Sequence, residues 1–170
     1  MKITYEIVRK RLNYDPCSGV LVWKRIENPS GWEIRFNDRH AGKRAGIKGT
    51  RGYRYISIYG SRKTPESWVV WLYVNGTWPK NEIDHINGDP SDNRIANLRE
   101  ATSSQNKVNR RAQCTNKSGI KGVRFKKGKW LAAIKINGRQ KHLGSFNSSD
   151  EASFVFRQAS ISIHGEFAKI

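Results

Sequence analysis

The sequence predicts an α+β chain of two small units. The first is mixed and ends in a strand–strand–helix segment; the second is a three-stranded antiparallel sheet packed on one helix. Three observations predict this. The chain has 170 residues and 19.5 kDa, enough for one ordinary domain or two small ones. Between Asn106 and Ser118, Asn, Lys, Arg, Gln, Thr and Ser follow one another with little apolar content, which reads as a helix end and then a polar linker. Upstream of it helix-spaced and alternating stretches are mixed, downstream three strand patterns precede one helix pattern, and no sequence repeat relates the two.

Tyr5, Val8 and Leu12 are spaced for one helix face, and Asp15-Pro16 stops that helix. Gly19 to Lys24 and Tyr53 to Tyr59 read as strands, the second alternating and ending at Gly60. Between them Arg39 to Arg51 reads as a Gly/Arg/Lys-rich loop. Thr64-Pro65-Glu66 starts a helix with Pro at the first helical position; Val69, Leu72 and Tyr73 form its apolar face and Asn75-Gly76 its stop. Ile83 to Ile86 is a short strand, Asn87 to Asn93 a turn-rich loop, and Leu98 to Thr102 a returning strand. Thr102-Ser103-Ser104-Gln105 is a capping box that opens a helix, with Asn106 in its first or second turn. Downstream, Lys121 to Lys126, Lys129 to Ile136 and Gln140 to Phe146 read as strands joined by turns at Lys127-Gly128 and Asn137-Gly138. Ser148 to Glu151 caps a helix whose apolar stripe is Ala152, Val155, Phe156, Ala159 and Ile163, and Gly165 ends it.

Charge narrows the partners. There are 32 Lys+Arg against 14 Asp+Glu, a formal +18. Residues 1–106 carry a net +7 and the shorter 107–170 a net +11. The cations are spread and interleaved with six Trp, six Tyr and six Phe, which favours nucleic acid over a membrane surface. The longest apolar run, Trp68 to Val74, is far below the roughly 20 residues of a membrane span. No secretory signal is visible at the N-terminus. Cys17 and Cys114 are far apart with no Cys-x-x-Cys pair, so no structural zinc is expected, and the usage fits a reducing, intracellular compartment.

The chemistry concentrates in Ile83 to Arg110. A phosphodiester hydrolase must activate a water, offset developing charge and stabilise a leaving alkoxide. A neutral histidine accepts the proton from water near pH 7. An oxygen-ligated divalent ion does the rest, and Mg²⁺ needs few protein ligands. Asp84-His85 followed by Asn106 offers one carboxylate, one base and one amide oxygen. Each residue also has an ordinary reading: His85 as a hydrogen-bonded core residue, Asp84 and Asn106 as caps, and Asp89, Asp92 and Asn93 as turn formers, which is how those three are taken. Adjacent strand residues ideally point to opposite faces, so Asp84 and His85 share a site only where the strand bends or the ion sits over its edge.

Asp84-His85-Ile86-Asn87-Gly88-Asp89, Asp92-Asn93-Arg94, Asn97-Leu98-Arg99 and Gln105-Asn106 closely resemble the HNH nucleases among phage homing endonucleases. Tyr14-Asp15-Pro16, Gly19 to Lys24, Ala45-Gly46, Gly52-Tyr53, Trp71, Gly76 and Trp78-Pro79 resemble the amino-terminal part of such enzymes. The resemblance implies an HNH nuclease domain at 1–111 with a ββα-metal core at about 82–111. It implies His85 as general base, Asp84 and Asn106 as ligands of one divalent cation (Mg²⁺, or Mn²⁺), and Asn97 bracing the loop and orienting the histidine. Relatives often read Ala-His-Arg ahead of the Trp71 helix, where this chain has Glu66-Ser67-Trp68, so any role of that His-Arg pair is absent or moved.

Strand parity turns Val123, Phe125, Trp130, Ala132, Ile134 and Leu143 toward the second unit's helix and Arg124, Lys126, Leu131, Ala133, Lys135, Gln140 and His142 away from it. That outer face is either an ordinary solvated sheet or a surface suited to a major groove. Gly119 to Arg124, Lys129-Trp130, Ala132-Ala133-Ile134, Leu143 to Phe146, Glu151-Ala152 and His164-Gly165 resemble an AP2/ERF-type DNA-binding domain. The resemblance implies such a domain at 118–170, after a linker at 112–117, with Lys121, Arg124, Lys126, Lys135, Gln140 and His142 toward the DNA. Arg110 and Arg111, in the polar stretch, are expected to meet phosphates. The reading is a site-directed, homing-type endonuclease acting on double-stranded DNA in the host cytoplasm. The alternatives are a DNA-binding regulator with an inactive nuclease fold and, third, a nucleoid-type structural protein.

Overall fold

The computed structural model describes residues 2–110, 116, 118–136 and 138–168. The predicted phosphate contact Arg111, Cys114, most of the expected linker 112–117 and Asn137 of the second hairpin turn lie outside them. Contacts divide the chain into Met1–Glu100 and Ala101–Ile170. Among the described residues the architecture is α+β, with several small antiparallel sheets and five α-helices. No helix among them is long and apolar enough to cross a membrane.

In the first unit, α1 (Tyr5–Arg11) is capped by the Thr4 hydroxyl, which accepts from the Ile7 amide at 3.4 Å. The apolar spacing placed Leu12 on this helix, but the helix stops one residue earlier. Leu12 opens β1 (Leu12–Asp15), which pairs antiparallel with β2 (Val20–Trp23), Leu12 opposite Trp23. The strand buries Leu12 fully, so tertiary pairing overrides the helical spacing. A second departure is α2 (Trp32–His40), whose last two residues fall in the expected loop. Asn37 holds it: its Oδ1 accepts from the Ile26 amide at 2.8 Å and its Nδ2 donates to the Ile26 carbonyl at 2.9 Å. Phe36 lies edge-on to Trp23 at 5.3 Å. These contacts are long-range, and no local pattern announces them.

β3 (Ile47–Lys48), β4 (Arg54–Ile56) and β5 (Thr64–Pro65) form a three-stranded sheet with β4 central. β4 is shorter than the expected Tyr53–Tyr59 stretch, and Tyr59 takes a positive φ of 51° beyond it. α3 (Glu66–Asn75) starts one residue after the expected Pro65, which still pairs with Tyr55 in the sheet and serves as N-cap, and it ends at left-handed Gly76, as expected. Val69, Val70 and Leu72 of α3 pack with Val8, Leu12, Leu21, Ile56, Ile83 and Leu98. Each such side chain contributes roughly 1.5–3 kcal/mol by leaving water. This core reaches β6 (Glu82–His85) and β7 (Leu98–Ala101), which pair with each other.

The second unit opens with α4 (Ser103–Asn109), started by the expected capping box: Thr102 Oγ1 accepts from the Gln105 amide and Gln105 Oε1 from the Thr102 amide. β8 (Val123–Lys126), β9 (Lys129–Ile136) and β10 (Arg139–Phe146) form an antiparallel sheet with β9 central. The β8–β9 turn has φ of 50° at Lys127 and 74° at Gly128, the handedness a two-residue hairpin needs. α5 (Ser149–His164), capped by the Ser148 hydroxyl, lays Ala152 and Phe156 on Val123, Ala132 and Ile134. Gly122 is required there, since a Cβ would sit 2.0 Å from the Phe156 ring and φ is +71°. Phe125 departs from the parity expectation: it is 59% exposed and rests against Trp130 at 5.0 Å, near the hairpin end rather than under α5.

Candidate active site and nucleic-acid face

β6 delivers Asp84 and His85 at its C-terminal end, and both are buried, at 3% and 5% exposure. Their polar partners differ. Asp84 Oδ2 accepts from Arg99 Nε at 3.0 Å and pairs with Arg99 Nη2 at 2.9 Å, so β7 neutralises the carboxylate. His85 Nε2 lies 3.0 Å from Asn93 Oδ1, in the loop between the strands. Tyr53, half in solvent, stands edge-on to the imidazole with ring centres 6.2 Å apart.

The loop is built from its own polar side chains. Asn87 Oδ1 accepts from the Asp89 amide, and Asp89 Oδ1 accepts from the Ser91 amide and hydroxyl. Asp92 bonds Arg94 Nε at 2.8 Å, the Arg94 amide and Asn87 Nδ2. Arg94, foremost, holds the Asp92 carboxyl down at about 2. Asp89 and Asp92 are therefore turn formers. Asn97 closes the loop: its Nδ2 donates to the Asp92 carbonyl at 2.8 Å and to Asn87 Oδ1 at 3.1 Å, and its Oδ1 accepts from the Asn87 amide at 3.0 Å.

Asn93 is more than a turn former. It is 1% exposed, and its Nδ2 donates to Glu66 Oε2 at 3.1 Å while its Oδ1 faces His85. Glu66 in turn lies 3.1 Å from Arg54 Nε and 3.7 Å from Arg44 Nη2. Burial pushes the Glu66 carboxyl up; Arg44, Arg54 and the Asn93 bond oppose it. The loop's backbone is pinned from the β1–β2 side. The Tyr14 hydroxyl donates to the Asn93 carbonyl at 3.1 Å and accepts from the Ile95 amide at 2.8 Å, and burial raises its pKa. Gly19, at φ +72°, presses on the same place: a Cβ would lie 2.4 Å from Arg94 N and 2.6 Å from Asn93 C. Tyr14 and Gly19 lie far from the loop in sequence, yet both position it.

The structure thus ties His85 and Asn97 into one loop of the first unit, while Asp84, next to His85 in β6, is paired with Arg99 of β7. Asn106 is on α4 of the second unit, where its amide donates to the Thr102 carbonyl at 2.9 Å, so the capping box sets its angular position. As donors, the Asp84 carboxylate and the Asn106 amide oxygen are hard, and that chemistry fits a hydrated divalent cation. The residues missed from sequence are Asn93, Glu66 and Arg99. Glu66 carried a signal, a lone acid opening the otherwise apolar run Trp68 to Val74. Arg99 stood inside the quoted motif without a role.

On the second unit's sheet, Arg124, Leu131, Ala133, Gln140, His142 and Ser145 line one shallow depression on the face away from α5. Pairing of Gln140 with Lys135 and His142 with Ala133 sets that parity, and a bulge between His142 and Gly144 brings Ser145 onto it opposite Leu131. The Ser145 hydroxyl lies 3.4 Å from His142 Nε2. Lys126 and Lys135 are exposed. Lys121 is placed otherwise: it precedes β8, and its ammonium donates to the Val108 carbonyl and, at 2.7 Å, to the Arg110 carbonyl at the end of α4. Arg110 is exposed at the C-cap of α4.

The family model for HNH endonucleases matches residues 67–108, which hold all of α3 but Glu66, then β6, the loop, β7 and most of α4. Protein 3.8 of Escherichia phage T7 is 32% identical over 103 residues, covering 59% of this chain and 84% of that protein. An ethylene-responsive transcription factor-like protein of Arabidopsis thaliana is 45% identical over 40 residues, 24% of this chain and 18% of that protein. No solved structure matches.

Proposed function

Because the chain carries an HNH endonuclease domain and belongs to the family of the phage protein 3.8, we propose that it is a site-directed, homing-type DNA endonuclease. The observation that carries this is the buried Asp84-His85 pair at the end of β6, each side chain held by its own partner, inside the stretch the family model matches. In this reading residues 82–111 are a ββα-metal motif within a nuclease domain at 1–111. A linker at 112–117 leads to an AP2-like domain at 118–170. Asp84 and Asn106 hold one divalent cation, Mg²⁺ or Mn²⁺. When bound, the ion offsets charge on the scissile phosphate and on the leaving oxygen.

His85 takes the proton of a water as that water forms its bond to phosphorus. The bond from phosphorus to the 3′ oxygen breaks, and that oxygen takes a proton from solvent water, leaving a 5′-phosphate and a 3′-hydroxyl. Asn97 keeps the loop closed, and Arg99 holds the Asp84 carboxylate in place. The sheet face carrying Arg124, Lys126, Lys135, Gln140 and His142 enters the major groove of the target. Arg110 and Arg111 meet backbone phosphates, and Lys121, with its ammonium on the α4 carbonyls, orders that segment beside the groove. The test is incubation of supercoiled plasmid with Mg²⁺, with and without EDTA. Cleavage is expected with the metal alone. Asp84→Ala and Asn106→Ala are each expected to raise the Mg²⁺ concentration that half-maximal cleavage needs; an unchanged requirement in both removes them as ligands.

A further inference from the structure

We propose that Glu66 is a positioning residue: by fixing which way the Asn93 amide points, it fixes which nitrogen of the His85 ring carries the proton. The inference rests on the reading of His85 as the base and supplies what that reading lacks, a reason for one tautomer. A neutral imidazole has one N–H and one lone pair, and only the lone-pair nitrogen can accept a proton from water.

The order starts at Glu66 Oε2. This oxygen faces two guanidinium groups, Arg54 at 3.1 Å and Arg44 at 3.7 Å, in a site 1% exposed. The two guanidinium groups favour a carboxylate, which only accepts hydrogen bonds, and Oε2 accepts the Asn93 amide N–H at 3.1 Å. A carboxamide has one donor end and one acceptor end. With its NH₂ committed to Glu66, Asn93 must turn its oxygen the other way, to His85 Nε2 at 3.0 Å. A carbonyl oxygen only accepts, so Nε2 carries the hydrogen and Nδ1 keeps the lone pair. The opposite amide orientation would set NH₂ against Nε2 and select the Nδ1–H form.

The Asn93 backbone cannot shift to evade this choice. Tyr14 bonds its carbonyl at 3.1 Å, and Gly19 packs so closely that a Cβ there would lie 2.6 Å from the Asn93 carbonyl carbon. What remains open is the half-turn of the terminal amide, and Glu66 closes it.

The experiment reads the tautomer directly in the full chain. Long-range ¹H–¹⁵N correlation of ¹⁵N-histidine-labelled protein distinguishes Nε2–H from Nδ1–H, at a pH where the His85 ring is neutral. The wild type is expected to show His85 wholly as Nε2–H. Glu66→Gln, whose amide offers Asn93 either end, is expected to bring in Nδ1–H signal and to lower kcat about tenfold with KM unchanged, by the logic that a wrong tautomer disables a base. Nδ1–H as the wild-type form overturns the proposal without any variant, so it stays decidable even if Glu66→Gln does not fold. An unchanged tautomer in folded Glu66→Gln also overturns it. A shifted tautomer with an unchanged cleavage rate upholds the relay and instead removes His85 as the base.

Discussion

At the scale of the residue, the site depends on side chains whose charge or proton is fixed by a neighbour. Asp84 and Arg99 are both largely out of solvent, at 4% and 12% side-chain exposure. Removing one partner of such a pair leaves the other's charge buried, so Arg99→Ala is expected to cost about 3–5 kcal/mol in denaturant unfolding of the full chain. A loss under about 1 kcal/mol would mean the pair behaves as a surface contact. Asp84 and His85 stood out in the sequence because a carboxylate, a base and an amide at this spacing have a chemistry together. Asn93 did not. A short amide in a run of Asn, Asp and Gly reads as a turn former, and nothing local says that its side chain goes inward. Its partners His85 and Glu66 are 8 and 27 residues away. Residues that act through long-range partners are those a one-dimensional reading loses.

The element that matters most is the loop between β6 and β7. The acid Asp92 is held at about 2, against an ordinary value of 3.8, chiefly by Arg94. A carboxyl depressed on folding stabilises the fold fully above its unfolded pKa and loses that contribution as pH falls through the folded one. The Asp92 contribution is therefore complete above about pH 5 and is lost as pH falls through about 2. Asp92→Asn should flatten thermal stability against pH over that window and no other; an identical acid slope in the variant contradicts it. Gly19→Ala should drive a methyl group into Asn93 and Arg94 and displace the loop. Misplacing a reacting group by about 1 Å costs on the order of 10²-fold, so cleavage should drop by about that factor with DNA affinity kept. Elements with local signatures were legible: the capping box of α4, the Gly76 stop of α3 and the two-residue turn before β9. The end of α1 and the whole of α2 were not, because strand pairing at Leu12 and the Asn37 bonds to Ile26 decide them.

Across the whole molecule, charge divides unevenly, net +11 over residues 107–170 against +7 over 1–106, and targeting is proposed to lie with the more basic part. The outer sheet face was legible from strand parity alone, apart from Phe125 at the hairpin end; Lys121, expected there from the resemblance, precedes β8. Arg124 lies in its depression beside Gln140 and His142. A guanidinium pairs bidentately with guanine, so Arg124→Ala should cost about 1–3 kcal/mol on the specific duplex and relax selectivity at one position. Lys135→Ala should weaken specific and scrambled duplexes alike and flatten the salt dependence. An unchanged ratio of specific to scrambled affinity in Arg124→Ala moves targeting elsewhere in the chain. The central claim is metal-dependent cleavage through His85, and one measurement meets it most directly: the rate at which supercoiled plasmid is cut in Mg²⁺ by the wild type and by His85→Ala at equal DNA occupancy. The account predicts cutting by the wild type and a loss of roughly 10²–10⁴-fold in the variant, the worth of a general base. Equal rates in the two proteins, or no cutting by the wild type in Mg²⁺ or Mn²⁺, would contradict it.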